Sequence, residues 1–336
     1  MANRHDATSD RPLLLVACKA GAGGRAALAA AVGDEAELAY LEDAAPEDRA
    51  ALLSRAGAIL ARNTANDFAP EELTALAGVK LLQFFSAGVD FIPLRDLPPD
   101  LPVAGNGGAF AVPMAEHALA MALAAKKRLL VEHEKLKTGE FNQFVRNGTL
   151  SGGVCGIFGY GGIGQAVARL MRAMGMTIHA INRSGRAEEP ADWLGTPDRL
   201  DELLQAADVF VIATPLSQST EGVIDAAALA RMKPDAVLVN LARGEIVDEA
   251  ALFAHLRSHP EFFACLDAWW VEPVRHGRFE MGHPFLDLHN VVGSPHNSAS
   301  VGGSAPNAWR AAAENCLRAL RGEAPRHLVQ PEERML

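Results

Sequence analysis

Apolar residues in this chain fall into short runs, separated by longer stretches with helical spacing. Residues 13–17, 37–41, 58–61 and 80–85 read as strands, with helices between them at 25–32, 47–55 and 71–76. A proline-rich stretch, 93–102, then leads to an alanine-rich segment. That segment, from about 113 to 137, reads as one long helix, with Pro113 in its first turn. A second series follows, with strands at 154–158, 176–181, 209–213, 236–240, 262–266 and 291–292. Helices at 163–174, 198–206, 226–232 and 249–257 separate them. Short apolar strands alternating with helices predict parallel sheets covered on both faces. Two such series in 336 residues predict two α/β domains of ordinary size. The amphipathic segment 305–320 is expected to pack back onto the first of them.

The start of the second series carries the most specific signal. Gly159, Gly161 and Gly164 form a G-x-G-x-x-G between a buried strand and a helix opened by Gly162 and Ile163. The first glycine makes the tight turn and the second lets the backbone approach a pyrophosphate. The third lets helix and strand pack closely, with the phosphate at the helix N-terminus. An acidic residue should end the next strand and hold the ribose 2′-OH. The chain has Asn182-Arg183-Ser184-Gly185-Arg186 there. Without the carboxylate nothing repels a 2′-phosphate, and Arg183, Ser184 and Arg186 could bind it with charge-assisted bonds. The reading is NADP(H) in preference to NAD(H), with NAD(H) use still possible. A second glycine turn, at Gly21, Gly23 and Ala26 with Glu42 or Asp43 on the next strand, is an alternative site.

Position favours the later turn, because the candidate chemistry lies downstream of it. Arg243, Glu272 and His296 each follow an apolar strand of the second series, where open parallel sheets place their ligands. Together they suit reduction of a 2-keto acid. Arginine offers a fork to a carboxylate, and histidine is a proton donor at neutral pH. A glutamate beside that histidine would stabilise the imidazolium.

Composition narrows the partners. A net charge of −10 argues against nucleic acid or an anionic membrane. Apolar residues make up 49% of the chain, yet no run approaches the roughly 20 needed to span a bilayer. The scattered Cys18, Cys155, Cys265 and Cys316 read as reduced core thiols of a cytoplasmic protein. No metal site is expected. The polar first dozen residues are expected to be disordered.

These blocks resemble the D-isomer-specific 2-hydroxyacid dehydrogenase family. The resemblance rests on residues 156–168 (GIFGYGGIGQAVA), 240–252 (NLARGEIVDEAAL), 266–273 (LDAWWVEP) and 290–296 (NVVGSPH). In the first half it rests on 85–90 (FSAGVD) and 106–117 (NGGAFAVPMAEH). It implies two Rossmann-like parallel-sheet domains, the coenzyme domain (105–297) inserted in a flavodoxin-like substrate domain (1–104 and 298–336). It implies that Arg243 binds substrate and that Glu272 and His296 form the proton-transfer pair. Ala87, Gly88 and Val89 would hold the substrate carboxylate, with Arg62 a further substrate-facing cation. Thr214 and Pro215 would line the cofactor, Asp267 would bond the nicotinamide carboxamide, and the chain would form a homodimer. The reaction implied is reduction of small 2-keto acids of the glyoxylate and hydroxypyruvate type. The alternatives are NAD-dependent dehydrogenation of a larger D-2-hydroxy acid, or a dinucleotide-sensing protein on the same fold. The Trp269-Trp270 pair is bulkier than the family pattern and would narrow the cleft or serve an interface.

Overall fold

A computed structural model describes residues 11–187 and 189–335, so most of the stretch expected to be disordered lies outside the described residues. The chain divides into two units, Met1–Ala109 with Gly302–Leu336, and Phe110–Val301. Each is an α/β unit built on a wholly parallel sheet.

The first unit contains β1 (Leu13–Val16), β2 (Glu37–Tyr40), β3 (Ala56–Ala61), β4 (Leu82–Phe84) and β5 (Val103–Ala104). Their order is β2-β1-β3-β4-β5. Alternate residues of β1 and β3 feed two cores, as the twofold period of a strand requires. Leu13, Leu15, Ile59 and Ala61 enter one of them. Leu14, Val16, Ala58 and Leu60 enter the other, against Trp309, Ala313 and Leu317 of the helix Ser304–Leu320. The amphipathic C-terminal segment therefore does pack on the first unit. β5 was not foreseen, because two residues behind a proline-rich loop carry no periodic signal.

The alternative glycine turn is closed by its own neighbours. Arg25 donates to both Asp43 oxygens at 2.7 Å and to Glu42 at 2.8 Å, and lies over the Tyr40 ring. The acids that a ribose would need are thus ion-paired. A side chain at Gly24 would meet the Trp309 indole at 2.7 Å.

The second unit contains β6 (Val154–Phe158), β7 (Thr177–Ile181), β8 (Trp193–Gly195) and β9 (Val209–Ile212). β10 (Val237–Asn240), β11 (Phe263–Leu266) and β12 (Val291–Gly293) complete it, in the order β12-β11-β10-β9-β6-β7-β8. The order reverses between β6 and β9, and such a switch point opens a crevice at the carboxyl ends of the strands. β8, an edge strand of three residues, was too short to read from the sequence.

The long helix is two. Ala111–Lys126 buries Ala115, Ala118 and Ala122 in one core with Ala166 and Val167 of the helix Gly162–Ala173, small side chains letting the backbones approach. Leu129–Lys137 has no fully buried residue, only the partly buried Val131 packing on that core. Between them Arg128 turns left-handed at φ 52°, and the Lys126 carbonyl accepts the Gly148 amide instead of continuing the helix. Helix propensity is similar on both sides of the break; the fully buried face ends with the first segment.

No described helix is long and apolar enough to cross a membrane. The four cysteines are buried and unpaired.

Candidate functional site

The glycine turn sits at the switch point with the geometry that its residues dictate. Gly159 has φ 107°, a region closed to side chains, and a Cβ there would meet the Ala213 carbonyl carbon at 2.5 Å. It thereby brings the end of β6 against the loop after β9 that carries Thr214 and Pro215. A Cβ on Gly164 would lie 3.0 Å from Ile157, so this glycine lets the helix close on its strand. Gly161 is different: a Cβ there would meet nothing within 4 Å. It is the N-cap of Gly162–Ala173 and leaves the first-turn amides, with Ile163 among them, without a side-chain cap. Open space above uncapped amides fits the phosphates of a dinucleotide.

Beyond β7, Asn182 is occupied with the turn itself. Its side-chain oxygen accepts the Gly185 amide at 2.7 Å, and its amide donates to the Arg186 carbonyl at 2.7 Å. It shapes the loop, which leaves Arg183, Ser184 and Arg186 as the exposed groups that could meet a phosphate.

Arg243, Glu272 and His296 follow β10, β11 and β12, three neighbouring strands. Asn240, fully buried at the end of β10, donates to the Arg243 carbonyl at 2.8 Å and accepts the Ala242 amide at 3.0 Å. It sets the turn that carries Arg243. The signal was present in the sequence as a polar residue ending an apolar strand. His296 Nδ1 lies 2.7 Å and 2.9 Å from the Glu272 oxygens. The Trp269 amide donates to the same carboxylate at 2.7 Å. Burial pushes the Glu272 carboxyl up. The bond and charge of His296, the Trp269 amide and the field of Arg243 outweigh it, so the carboxyl titrates below its ordinary value. The glutamate therefore keeps its charge through neutral pH and loses it only as pH falls through that lowered value. Among the described residues, Nε2 of His296 has no protein hydrogen-bond partner, and the side chain is partly exposed.

His296 is left-handed at φ 49°, a costly conformation for a residue with a side chain. Asp267 holds it there. This carboxylate is fully buried and accepts the Ser294 hydroxyl at 2.5 Å, the Asn297 amide at 3.1 Å and the Ser298 amide at 3.2 Å. The resemblance assigned Asp267 to the nicotinamide carboxamide. The same carboxylate is also the hub of the His296 loop, accepting from Ser294, Asn297 and Ser298.

Both indoles of the tryptophan pair are held by packing and hydrogen bonds within the second unit, with Trp270 partly exposed. Trp269 is buried and donates Nε1–H to the Ser294 carbonyl at 2.8 Å, while Trp270 stacks on Phe285 and donates to the Val247 carbonyl. A Cβ on Gly244 would fall 2.5 Å from the Trp270 amide nitrogen, so the glycine after Arg243 makes room for the pair. Arg275 ion-pairs Glu245, tying the segment after Glu272 to the turn after Arg243.

In the first unit, Arg62 follows β3 and the Ala87-Gly88-Val89 turn follows β4, its neighbour in the sheet. The Arg62 guanidinium lies 4.4 Å over the Phe85 ring and 5.3 Å over Trp309. Asn106 braces the turn, its backbone amide donating to the Ser86 carbonyl and its side chain to the Phe85 carbonyl.

This arrangement defines a dinucleotide-binding protein with a histidine–carboxylate pair at the ends of its sheet. A model of the D-isomer specific 2-hydroxyacid dehydrogenase NAD binding domain matches residues 119–298. The chain is similar to D-3-phosphoglycerate dehydrogenase of Methanocaldococcus jannaschii, 32% identical over 68% of this chain and 43% of that one. It is similar also to hydroxypyruvate reductase of Thermotoga maritima, 30% identical over 72% of this chain and 78% of that one. A solved D-isomer specific 2-hydroxyacid dehydrogenase from Xanthobacter autotrophicus Py2, in complex with NADPH and MES, superposes with a TM-score of 0.75 at 26% identity. That match covers 96% of this chain and 99% of that one. The chain belongs to the D-isomer specific 2-hydroxyacid dehydrogenase family. It spans about half the length of the phosphoglycerate dehydrogenases that it matches.

Proposed function

We propose that the protein reduces small 2-keto acids of the glyoxylate and hydroxypyruvate type to D-2-hydroxy acids, with NADPH preferred. The observation that carries the reading is the His296–Glu272 pair with Arg243 beside it, after a glycine turn with open space over uncapped amides. Bound cofactor would supply hydride to the carbonyl carbon. His296 Nε2 gives its proton to the carbonyl oxygen as the C=O bond becomes C–O–H, and Glu272 holds the ring in place through Nδ1. Arg243 binds the substrate carboxylate; Arg62 and the Ala87, Gly88 and Val89 amides are further candidate substrate-binding groups. Gly161, Gly162, Ile163 and Gly164 receive the pyrophosphate, and Thr214 and Pro215 border the cofactor. Arg183, Ser184 and Arg186 take the 2′-phosphate on a loop shaped by Asn182. Buried, unpaired thiols suit a cytoplasmic setting.

The hydroxypyruvate reductase relative and the NADPH-bound solved relative support this choice of substrate and cofactor. The phosphoglycerate dehydrogenase relatives favour the competing reading, NAD-dependent oxidation of a larger D-2-hydroxy acid. A panel of glyoxylate, hydroxypyruvate and phenylpyruvate with NADH and NADPH separates them, and Arg183→Ala tests the cofactor arm. The variant should raise the NADPH KM about tenfold or more, from loss of a charge-assisted bond, and leave the NADH KM nearly unchanged. Equal effects on both cofactors defeat the NADPH preference. Binding of NADPH without turnover of any keto acid defeats the enzyme reading.

A homodimer is the expected assembly. Leu129, Leu130, Leu136, Phe141 and Phe144, on and after the helix Leu129–Lys137, expose 49–82% of their surface. Apolar groups so concentrated mark an association surface. Sedimentation should give a dimer for the native chain and a monomer for the Phe141→Ser, Phe144→Ser double variant. A monomeric native chain at micromolar concentration rejects the dimer.

A further inference from the structure

We propose that His117 is a positioning residue, anchoring the loop that carries His296 through a relay of hydrogen bonds. The inference deepens the reductase reading and rests on it for its kinetic consequence. His117 lies on the helix Ala111–Lys126. Its Nε2 is 2.9 Å from the Ser294 hydroxyl oxygen. That hydroxyl donates its one hydrogen to Asp267 at 2.5 Å. Both oxygens of Asp267 accept backbone amides as well, Asn297 on one and Ser298 on the other.

Donor and acceptor accounting fixes the direction of the chain. The Ser294 hydrogen is committed to Asp267, so the Ser294 oxygen accepts and His117 Nε2 donates. His117 Nε2 also lies 3.6 Å from the nearer Asp267 oxygen, and the Asp267 side chain has no exposed surface. Among the described residues no lysine or arginine forms an ion pair with this carboxylate, and His117 is the basic side chain nearest to it. The amides that Asp267 receives belong to the two residues directly after His296. They close the left-handed turn at that residue. A strained conformation persists only where its surroundings over-determine it. His117 completes that surrounding from a helix rather than from the loop itself. The helix is rigidly placed, with Ala115, Ala118 and Ala122 in the core of the second unit.

The relay makes the His296 geometry depend on an N–H at position 117. Glutamine can place an amide N–H where Nε2–H stands; phenylalanine fills the space without a donor. His117→Phe should lower kcat for keto-acid reduction about tenfold or more, the scale of a displaced catalytic group, while the NADPH KM changes less than about twofold. His117→Gln should recover most of the loss. Amide hydrogen exchange at Asn297 and Ser298 should speed up about tenfold in His117→Phe and return towards the native rate in His117→Gln. Ser294→Ala cuts the relay at its middle link and should reproduce the His117→Phe exchange pattern, which keeps the test intact should the phenylalanine variant fold poorly. Native protection of Asn297 and Ser298 in both His117→Phe and Ser294→Ala overturns the relay. Exchange reads the relay without turnover, so an inactive native protein would defeat the reductase reading and leave the test of His117 standing.

Discussion

His296→Gln is expected to lower kcat for glyoxylate or hydroxypyruvate reduction by about a thousandfold, with the NADPH Kd unchanged within about twofold. Glutamine can still hydrogen-bond Glu272 but carries no proton to give the developing alkoxide. Glu272→Gln should cost less, about a hundredfold, because the imidazole remains in place and loses only the carboxylate that aligns it and favours its charged form. Stopped-flow single turnovers with saturating NADPH measure both, and a fluorescence titration measures cofactor binding. A loss below about tenfold for His296→Gln would remove histidine from proton transfer. The lowered Glu272 carboxyl adds a pH statement. Glu272 keeps its charge across the neutral range, and the protection that the ionised carboxylate gives the fold disappears only as pH falls below the ordinary glutamate range, about 4.3.

Gly159→Ala and Gly161→Ala should behave in opposite ways though they lie two residues apart. At Gly159 the backbone has φ 107°, and the added methyl would collide with the Thr214 amide and the Ala213 carbonyl. Strain and overpacking together should destabilise the protein by about 3 kcal/mol. NADPH should bind at least about tenfold more weakly, since the loop after β9 must move. At Gly161 the backbone is extended and no protein atom lies within 4 Å of an added Cβ. Its alanine variant should melt within about 2 °C of the native protein, since the change touches no packed group. It should still lose NADPH affinity, because its methyl stands where the pyrophosphate approaches. Thermal melts and NADPH titrations of the two variants give the comparison. Undiminished NADPH binding by Gly161→Ala would place the phosphates elsewhere.

Much of this architecture was legible because it is written in local pattern. Strand periodicity reports burial on both faces of a parallel sheet, and the glycine spacing reports a turn that only glycine can make. Arg243, Glu272 and His296 were legible from their places after apolar strands, since parallel sheets gather such positions at one end. Local pattern failed where the outcome depends on what a segment packs against. The alanine-rich helix continues in propensity past Arg128, but its buried face ends, and so does the helix. β5 and β8 exist because a neighbouring strand offers its edge.

The sequence by itself determined the two α/β units, the glycine turn and the identity of the charged groups at the strand ends. Each follows from the order and spacing of residues close together in the chain. Tertiary structure alone decided what those groups face. It paired Glu272 with His296 across 24 residues and turned Asp267 inward to hold the His296 loop. It buried Trp269 and set His117, 177 residues away in sequence, against Ser294. Hydrogen bonds of this kind depend on distances and angles between strand ends and a helix that only the folded unit brings into hydrogen-bonding range.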